Sequence, residues 1–504
     1  MSASAPPDAP KSRTASEAIA GLRGAGTAPL HPVLFAAAYV VGEFGLTHVH
    51  SADLLRPLVV AGAGVALLLV MGSVALRNSG RAGLLVTALL VLLIGLGALL
   101  PLVAWWLIAY RISPKLRLPP PPGIVDATRS LNVLAAIWLG VALVAAVPQF
   151  IRSPTALDPP FELDPAEAAD RPDIFVLLLD GYARTDTLAE MGYDNEPFLQ
   201  ALEDRGFDVF RDATGSYEYT VQVLTSMLHG RHLVDLPISA PPESTVDQHR
   251  LLMSMLADAP VLDELRGLGY EVVVSRSHAS HVTIWSADRI LDNGALTDFE
   301  HRLLHDTELD RAISVVAPTF MWDAYRDRVA SQFEHVKALA REESAGPRFA
   351  FIHAITPHPP FTFNADGSPA PPLDCFPVEC EAGWIPEGEL EDAQWISRYV
   401  AQLTHVNRLT LDALDALLED PDSIVIVMSD HGARLDQDDH SEWYRTLFAA
   451  RTPGHEGAFA AAPHPTAIFA TIARAYFGAD VDLPTTTRYA MVDDNRLRLR
   501  PVRP

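Results

Sequence analysis

Three short stretches of this 504-residue chain carry side chains that do chemistry when brought together. The apolar run IFVLLL (174–179) is followed at once by Asp180-Gly181-Tyr182, and IVIVMS (424–429) by Asp430-His431-Gly432. An acid at the end of an apolar run is poorly placed to be a solvated surface charge. A carboxylate there needs a metal or another cation to offset its desolvation. Asp430 and His431 offer an oxygen and an imidazole nitrogen side by side, a donor pair suited to Zn²⁺ or Mn²⁺. Taken alone, each aspartate is equally compatible with a helix cap or a turn. Between the two lies SYEYTVQVLTSMLHG (216–230), in which Thr220 opens a stretch with a helical pattern that ends at Gly230. A hydroxyl at a helix N-terminus faces the positive end of the dipole and can be activated by a metal; by itself it reads as a plain N-cap.

The elements that must position these residues alternate. Strand-length apolar runs recur at EVVV (271–274), RFAFI (348–352), IVIVM (424–428) and LFAA (447–450). Amphipathic helical stretches lie between them, such as EPFLQALEDRGF (196–207) and VLDELRGLGY (261–270). This predicts one α/β domain over 173–490 with a mostly parallel sheet covered by helices. Functional residues in such sheets gather beyond the carboxyl ends of the strands, where Asp180 and Asp430 stand.

The N-terminal part is a different object. The chain holds 38 Lys+Arg and 63 Asp+Glu, a net charge of −25, but residues 1–150 carry +5 and the rest −30. Nucleic acid is excluded as a partner, because no basic patch survives in the acidic part. Disorder is excluded by 49% hydrophobic residues. Apolar stretches at 31–48, 57–76, 82–110 and 131–149 predict about four transmembrane helices within 31–149, after a tail of residues 1–30. The first stretch is the poorest, since Glu43 sits in it; the third, broken by Gly95, Gly97 and Pro101, also reads as a re-entrant pair. Arg77 and Arg81 flank one loop, and Arg111, Lys115, Arg117 and Arg129 the next, so positive charge favours neither topology. The Pro-rich segment 118–122 and the linker 150–172 read as extended connectors, and 491–504 as a C-terminal tail.

Together these residues resemble the alkaline phosphatase superfamily, in particular its sulfatase-like members and the phosphoethanolamine- and phosphoglycerol-transferases of the lipoteichoic acid synthase type. LLLDGYARTDTL (177–188) resembles the first strand and loop of the nucleotide phosphodiesterases, which implies Asp180 as a metal ligand. Sulfatases have a pair of acids here, whereas Asp180 is followed by Gly181. Thr220, ten residues before Gly230, matches the nucleophile position, and SDHG (429–432) the metal motif, implying Asp430 and His431 as ligands with Thr220. FIHAITPHPPF (351–361) is similar to the strand and loop lining the substrate site, implying substrate contacts from His353 and His358. His278, just beyond the 271–274 run, is a further substrate-binding candidate or else a plain loop histidine, and His440 is another, similar to the late His of the phosphoethanolamine transferases although those show a longer gap after the metal motif. With a second metal, His358 and His440 would make the site binuclear.

One departure bears on substrate. Sulfatases oxidise a Cys or Ser at the nucleophile position to formylglycine, and Thr220, with a methyl on its β-carbon, cannot follow. The expectation is therefore a metal-dependent hydrolase or transferase acting on phosphoesters of envelope lipids or glycans through a covalent Thr220 intermediate. Zn or Mn is the expected ion, with Mg or Ca as alternatives. A sulfuric ester hydrolase without formylglycine and an inactive membrane-anchored binding protein are the other readings. Cys375 and Cys380, with four residues between them in one Pro-bearing loop, suit a disulfide better than a metal site. A disulfide implies an oxidising compartment, hence an integral protein of the cytoplasmic membrane with its catalytic domain outside.

Overall fold

The computed structural model describes residues 28–94, 123–150, 157–163, 171–238, 241–305, 307–373, 392–435 and 440–502. The Pro-rich segment 118–122, most of the connector before the α/β domain, the far half of the 82–110 stretch, and Cys375 and Cys380 lie outside them. Two compact units result, the N-terminal helices and an α/β domain.

The N-terminal helices are α1 (His31–Leu46), α2 (Leu55–Leu76), α3 (Ser79–Leu93) and α4 (Ile124–Ala146). Small residues bring them close. A β-carbon on Gly45 would lie 3.0 Å from the Ala145 carbonyl carbon, and one on Gly72 3.2 Å from the Ala82 β-carbon. Such contacts are how helices associate where no water drives them together. The Asn132 carboxamide accepts from the Leu30 and His31 amides at 3.1 and 2.8 Å, satisfying donors that the start of α1 leaves open. Counted with their flanking 3₁₀ turns, Ser51–Leu76 and Ile124–Phe150 are long and apolar enough to cross a membrane. At 1.5 Å per residue each reaches roughly 40 Å, beyond the hydrocarbon thickness. Val59, Leu67, Val70 and Val74 of α2, and Val133, Ile137, Val141 and Val144 of α4, are exposed, so burial inside the protein does not account for their apolarity. Helix α1 has 16 residues and α3 15, each short of a full span.

The α/β domain is built on β1 (Ile174–Leu179), β2 (Asp208–Val209), α5 (Thr220–His229), α6 (Thr245–Ala257), α7 (Pro260–Gly267), β3 (Glu271–Ser275), β4 (Arg289–Leu291), α8 (Phe320–Arg341), β5 (Arg348–Ala354), α9 (Asp392–Leu417), β6 (Ile424–Met428), β7 (Phe448–Arg451) and α10 (Ile468–Tyr476), closed by a hairpin of β8 (Tyr489–Val492) and β9 (Asn495–Pro501). Seven strands form one sheet in the order β2-β7-β6-β1-β5-β3-β4. Strands β6, β1, β5, β3 and β4 run parallel, while β7 is antiparallel to β6 and β2 to β7. The LFAA run thus turns back against its neighbour. Among its described residues the β6–β7 connection has only a 3₁₀ turn (His440–Tyr444), too little for a parallel crossover.

Central strand β1 is buried throughout, which is why its sequence is apolar without alternation. Ile174, Val176 and Leu178 face one core with Leu224, Met227 and Leu228 of α5. Phe175, Leu177 and Leu179 face the other with Val329 and Phe333 of α8 and Leu403 and Val406 of α9. Each such side chain contributes about 1.5–3 kcal/mol when taken from water. The 491–502 stretch is not a free tail: NRLRLR alternates, its Leu497 is buried against the first core, and Leu499 packs there too.

Candidate active site

Register explains why distant residues meet. Strand β1 lies between β5 and β6, with Leu178 opposite both His353 and Met428. The next residues along each chain, Asp180 and Ser429-Asp430, therefore emerge at the same edge, with His353 beside them. The Asp180 amide donates to Ala354 O at 3.0 Å, and Asp180 O accepts from the His358 amide at 3.0 Å, so the strand end and the His358 loop are tied together. Gly181 turns the chain with φ +70°, and a β-carbon there would press on the His358 ring at 3.3 Å. Gly432 is equally confined, since a β-carbon would collide with Glu442 O.

Four side chains converge. Thr220 Oγ1 is 2.6 Å from Asp430 Oδ2, His431 Nε2 is 3.4 Å from that same oxygen, and His431 Nε2 is 3.3 Å from Asp180 Oδ1. Asp430 is fully buried, and Asp180 and His431 nearly so. Asp430 Oδ1 accepts from the Gly181 amide at 3.2 Å. Thr220 is the first residue of α5, whose start is closed by the Tyr219 amide donating to Gln222 Oε1 at 3.1 Å.

The imidazoles are oriented by backbone. His431 Nδ1 is 2.8 Å from Gly432 O, and His358 Nδ1 is 2.8 Å from Pro359 O. A carbonyl can only accept, so each Nδ1 carries a hydrogen, and in the neutral imidazole each Nε2 presents a lone pair. Asp180 Oδ1 and His431 Nε2 are buried without a hydrogen-bond partner. Two buried, unpartnered acceptor atoms 3.3 Å apart are suitably placed to share a divalent cation. Asp180, His358 and His431 each bring a ligand atom within 4.8 Å of the others, so the donor set fits a divalent metal held by oxygen and imidazole nitrogen. Burial alone would raise the Asp180 carboxyl, but His358, His353 and His431 around it hold it well below the usual range. Burial pushes His358 down, with Asp180 opposing and His431 and Arg434 adding to the fall.

The other candidates take different places. His353 Nε2 is 2.9 Å from Asp180 Oδ2, so it grips the carboxylate. His440 is half exposed, stacked on Trp443 at 3.8 Å, with Nδ1 2.9 Å from Glu218 Oε1. His278 is buried at φ +67° and held by Asp292 at 3.0 Å, not by the four converging residues.

Several supporting residues were not singled out from sequence. Gln402 of α9 accepts from the Thr362 amide at 2.7 Å and donates to His358 O at 3.1 Å, bracing the loop that carries His358. Tyr399, one turn earlier, donates to Gly181 O at 2.8 Å and accepts from the Ala183 amide at 2.9 Å. Nothing in the helical pattern of α9 marks either. Ser429 accepts from the Tyr182 amide and donates to His431 O, both at 2.8 Å, and its place beside Asp430 could have flagged it.

Residues 172–466 match the sulfatase family. A search of curated proteins gave no match. Among solved structures, the chain is similar to the C-terminal periplasmic domain of EptC from Escherichia coli, at 14% identity, 68% of this chain and 96% of that one, TM-score 0.42. It is also similar to the integral membrane lipooligosaccharide phosphoethanolamine transferase A of Neisseria meningitidis (14% identity, 90% and 83% covered, TM-score 0.42). A third similar structure is the phosphonate monoester hydrolase of Agrobacterium radiobacter (14%, 65% and 82%, TM-score 0.41).

Proposed function

The chain belongs to the sulfatase family, and on that premise we propose a membrane-anchored, metal-dependent enzyme that transfers or hydrolyses a phosphoester of an envelope lipid or glycan through a covalent ester on Thr220. The observation that carries this reading is the 2.6 Å contact between Thr220 Oγ1 and Asp430 Oδ2, made at the start of α5 among buried, partly orphaned metal donors. A threonine at that point disfavours formylglycine chemistry and suits attack on phosphorus.

Asp180, Thr220, Asp430 and His431 are the residues that would hold the ion, Zn or Mn by their mixed oxygen and nitrogen donors, with His358 Nε2 close by. A bound divalent ion would favour the Thr220 alkoxide and draw charge from the phosphoryl oxygens. Asp430 Oδ2 holds the Thr220 proton before attack, which fixes where the oxygen lone pairs point. Thr220 Oγ1 then bonds to phosphorus as the bond from phosphorus to the leaving oxygen breaks, and the proton released by Thr220 is balanced by the one the departing oxygen takes up as it leaves as the alcohol. The first amides of α5 face the negative charge that builds up. His353 keeps Asp180 in one orientation. In the second step an acceptor hydroxyl, or water in a plain hydrolase, displaces Thr220. The two membrane-length helices support anchoring beside a lipid-borne donor, and the paired cysteines expected in the 375–380 loop support a domain outside the cytoplasmic membrane.

The test is mass spectrometry of purified protein incubated with labelled envelope lipids. A labelled adduct on a peptide containing Thr220, absent from Thr220→Ala, is the expected result. A turning-over enzyme whose label sits elsewhere would sink the assignment.

A further inference from the structure

Beyond residue 150, the large apolar side chains that stand exposed among the described residues are Val234, Leu309, Val315, Val316 and Phe320, so all but one belong to a single segment. Val315 and Val316, at 81% and 85%, are more exposed than any large apolar residue of α2 or α4. Scattered apolar residues are ordinary on a protein surface, whereas a concentration of them marks a surface that is covered by something.

The segment consists of a helix, Glu308–Val316, and the residues that lead from it to Phe320 at the start of α8. Leu309, Ala312, Ile313 and Val316 recur at the spacing of one helical face. Such a face ordinarily packs on a core, yet none of the nine residues of this helix is buried. The charges lie away from that face and are matched there. Arg311 Nη1 is 2.8 Å from Glu308 Oε2, and Asp310 Oδ2 is 3.7 Å from His305 Nδ1.

The segment starts in the N-terminal unit. Residues Leu303–Arg311 group with the N-terminal helices, and the Tyr39 hydroxyl of α1 donates to Leu303 O at 3.4 Å. The same unit carries the two membrane-length helices, whose exposed Val59, Val70, Ile137 and Val141 call for an apolar solvent. A protein partner fits the segment less well. One face of a nine-residue helix measures roughly 14 by 10 Å, against the roughly 800 Å² that a stable protein interface takes from each side.

We propose that Glu308–Val316, with Phe320, is a second membrane contact of this chain, an interfacial helix that lays Leu309, Ala312, Val316 and Phe320 into lipid, with Val315 at the edge, and keeps its charged side in water. Lipid around the membrane-length helices reaches the place where this helix begins, because its first residues pack in the same unit. The spans already hold the chain at the bilayer, so a short helix needs little affinity of its own. This rests on the N-terminal helices being a membrane anchor, and it is independent of the chemistry at Thr220.

The test is photolabelling of the full-length wild-type protein in vesicles of phosphatidylcholine that carries a diazirine in its acyl chain, with labelled peptides mapped by mass spectrometry. Light expels nitrogen from the diazirine, and the carbene left behind inserts into whatever touches the chain. Label is expected on α4 and on the peptide 309–320. The double variant Val315→Asp, Val316→Asp, changed only at exposed positions, is expected to lose the label on 309–320 and keep it on α4. Label on α4 with none on 309–320 overturns the lipid contact and leaves the anchor intact. Label on 309–320 with none on α4 keeps the contact and sinks the anchor, and label on neither sinks both. A label on 309–320 that the double variant retains removes this face from the contact. If 309–320 escapes both the lipid label and hydroxyl radicals generated in the water, protein covers it, a second copy or another chain, and the lipid contact falls.

Discussion

Thr220 Oγ1 donates to Asp430 Oδ2 at 2.6 Å across 210 residues of chain, and that hydrogen bond joins the N-terminus of one helix to the end of a sheet strand. It puts a hydroxyl against a fully buried carboxylate beside two orphaned lone pairs, so the environment of Thr220 differs from that of a simple cap.

Thr220→Ala should lower turnover by on the order of 10³-fold or more, while Thr220→Ser, which keeps the oxygen, should retain measurable turnover and take the adduct on serine. Single-turnover kinetics with a labelled donor read both. Equal activity of wild type and the alanine variant would remove Thr220 from the chemistry.

Asp430→Asn preserves shape but replaces a carboxylate that lies beside the unpartnered His431 Nε2 and accepts from Thr220. Metal content by elemental analysis should fall well below that of wild type, with chelator-treated wild type behaving alike and recovering on adding Zn or Mn. Equal metal in the variant and wild type would mean that the ion, if any, sits elsewhere.

Arg348 grips Asp173 with Nη2–Oδ2 at 2.6 Å and Nε–Oδ2 at 2.9 Å, and its amide donates to Asp173 Oδ1 at 2.7 Å, just where β5 starts beside β1. Both side chains are largely buried. Asp173→Ala strands a buried guanidinium and should cost about 3–5 kcal/mol, read as a lower urea midpoint. A shift under about 1 kcal/mol would show that the pair is solvated.

His229 and His464 are buried, each with Nε2 on a backbone carbonyl, and burial lowers both from 6.5 to about 4. Their folded pKa lies below the unfolded one, so on acidification the unfolded chain takes up the protons first. The stability they contribute is complete above pH 6.5 and is lost as pH falls from 6.5 towards about 4. The denaturation midpoint should drop between pH 7 and pH 5, and the drop should shrink in a His229→Gln, His464→Gln double variant. An unchanged pH slope in that variant assigns the acid sensitivity to other groups.

An extracytoplasmic domain should let a cysteine placed at Asp158, in a background without Cys375 and Cys380, react with an impermeant maleimide in intact cells. Reaction only after lysis would put the domain inside.

The sequence by itself marked the elements and the four converging residues. A buried strand must be continuously apolar, so IFVLLL and IVIVM announce themselves, and an acid at the end of such a run is conspicuous against them. Period and composition are local properties, readable along the chain; they marked about four apolar stretches, of which two form membrane-length helices among the described residues. Register is not local. Leu178 opposite His353 turned a residue expected to face substrate onto the Asp180 carboxylate, and no pattern within FIHAITPHPPF contains that pairing. Helix α9 buries Gln402 under the His358 loop because the loop's amides and carbonyls need partners once they are out of water. The C-terminal stretch read as a tail although NRLRLR alternates, because a short strand gains its energy only when another surface receives its inner face. That surface was the first core, and packing there brought Arg496 to Tyr219. Which residue types could do chemistry was written in the chain, and which of them touch was decided by strand order and by the burial that forces polar groups to find one another.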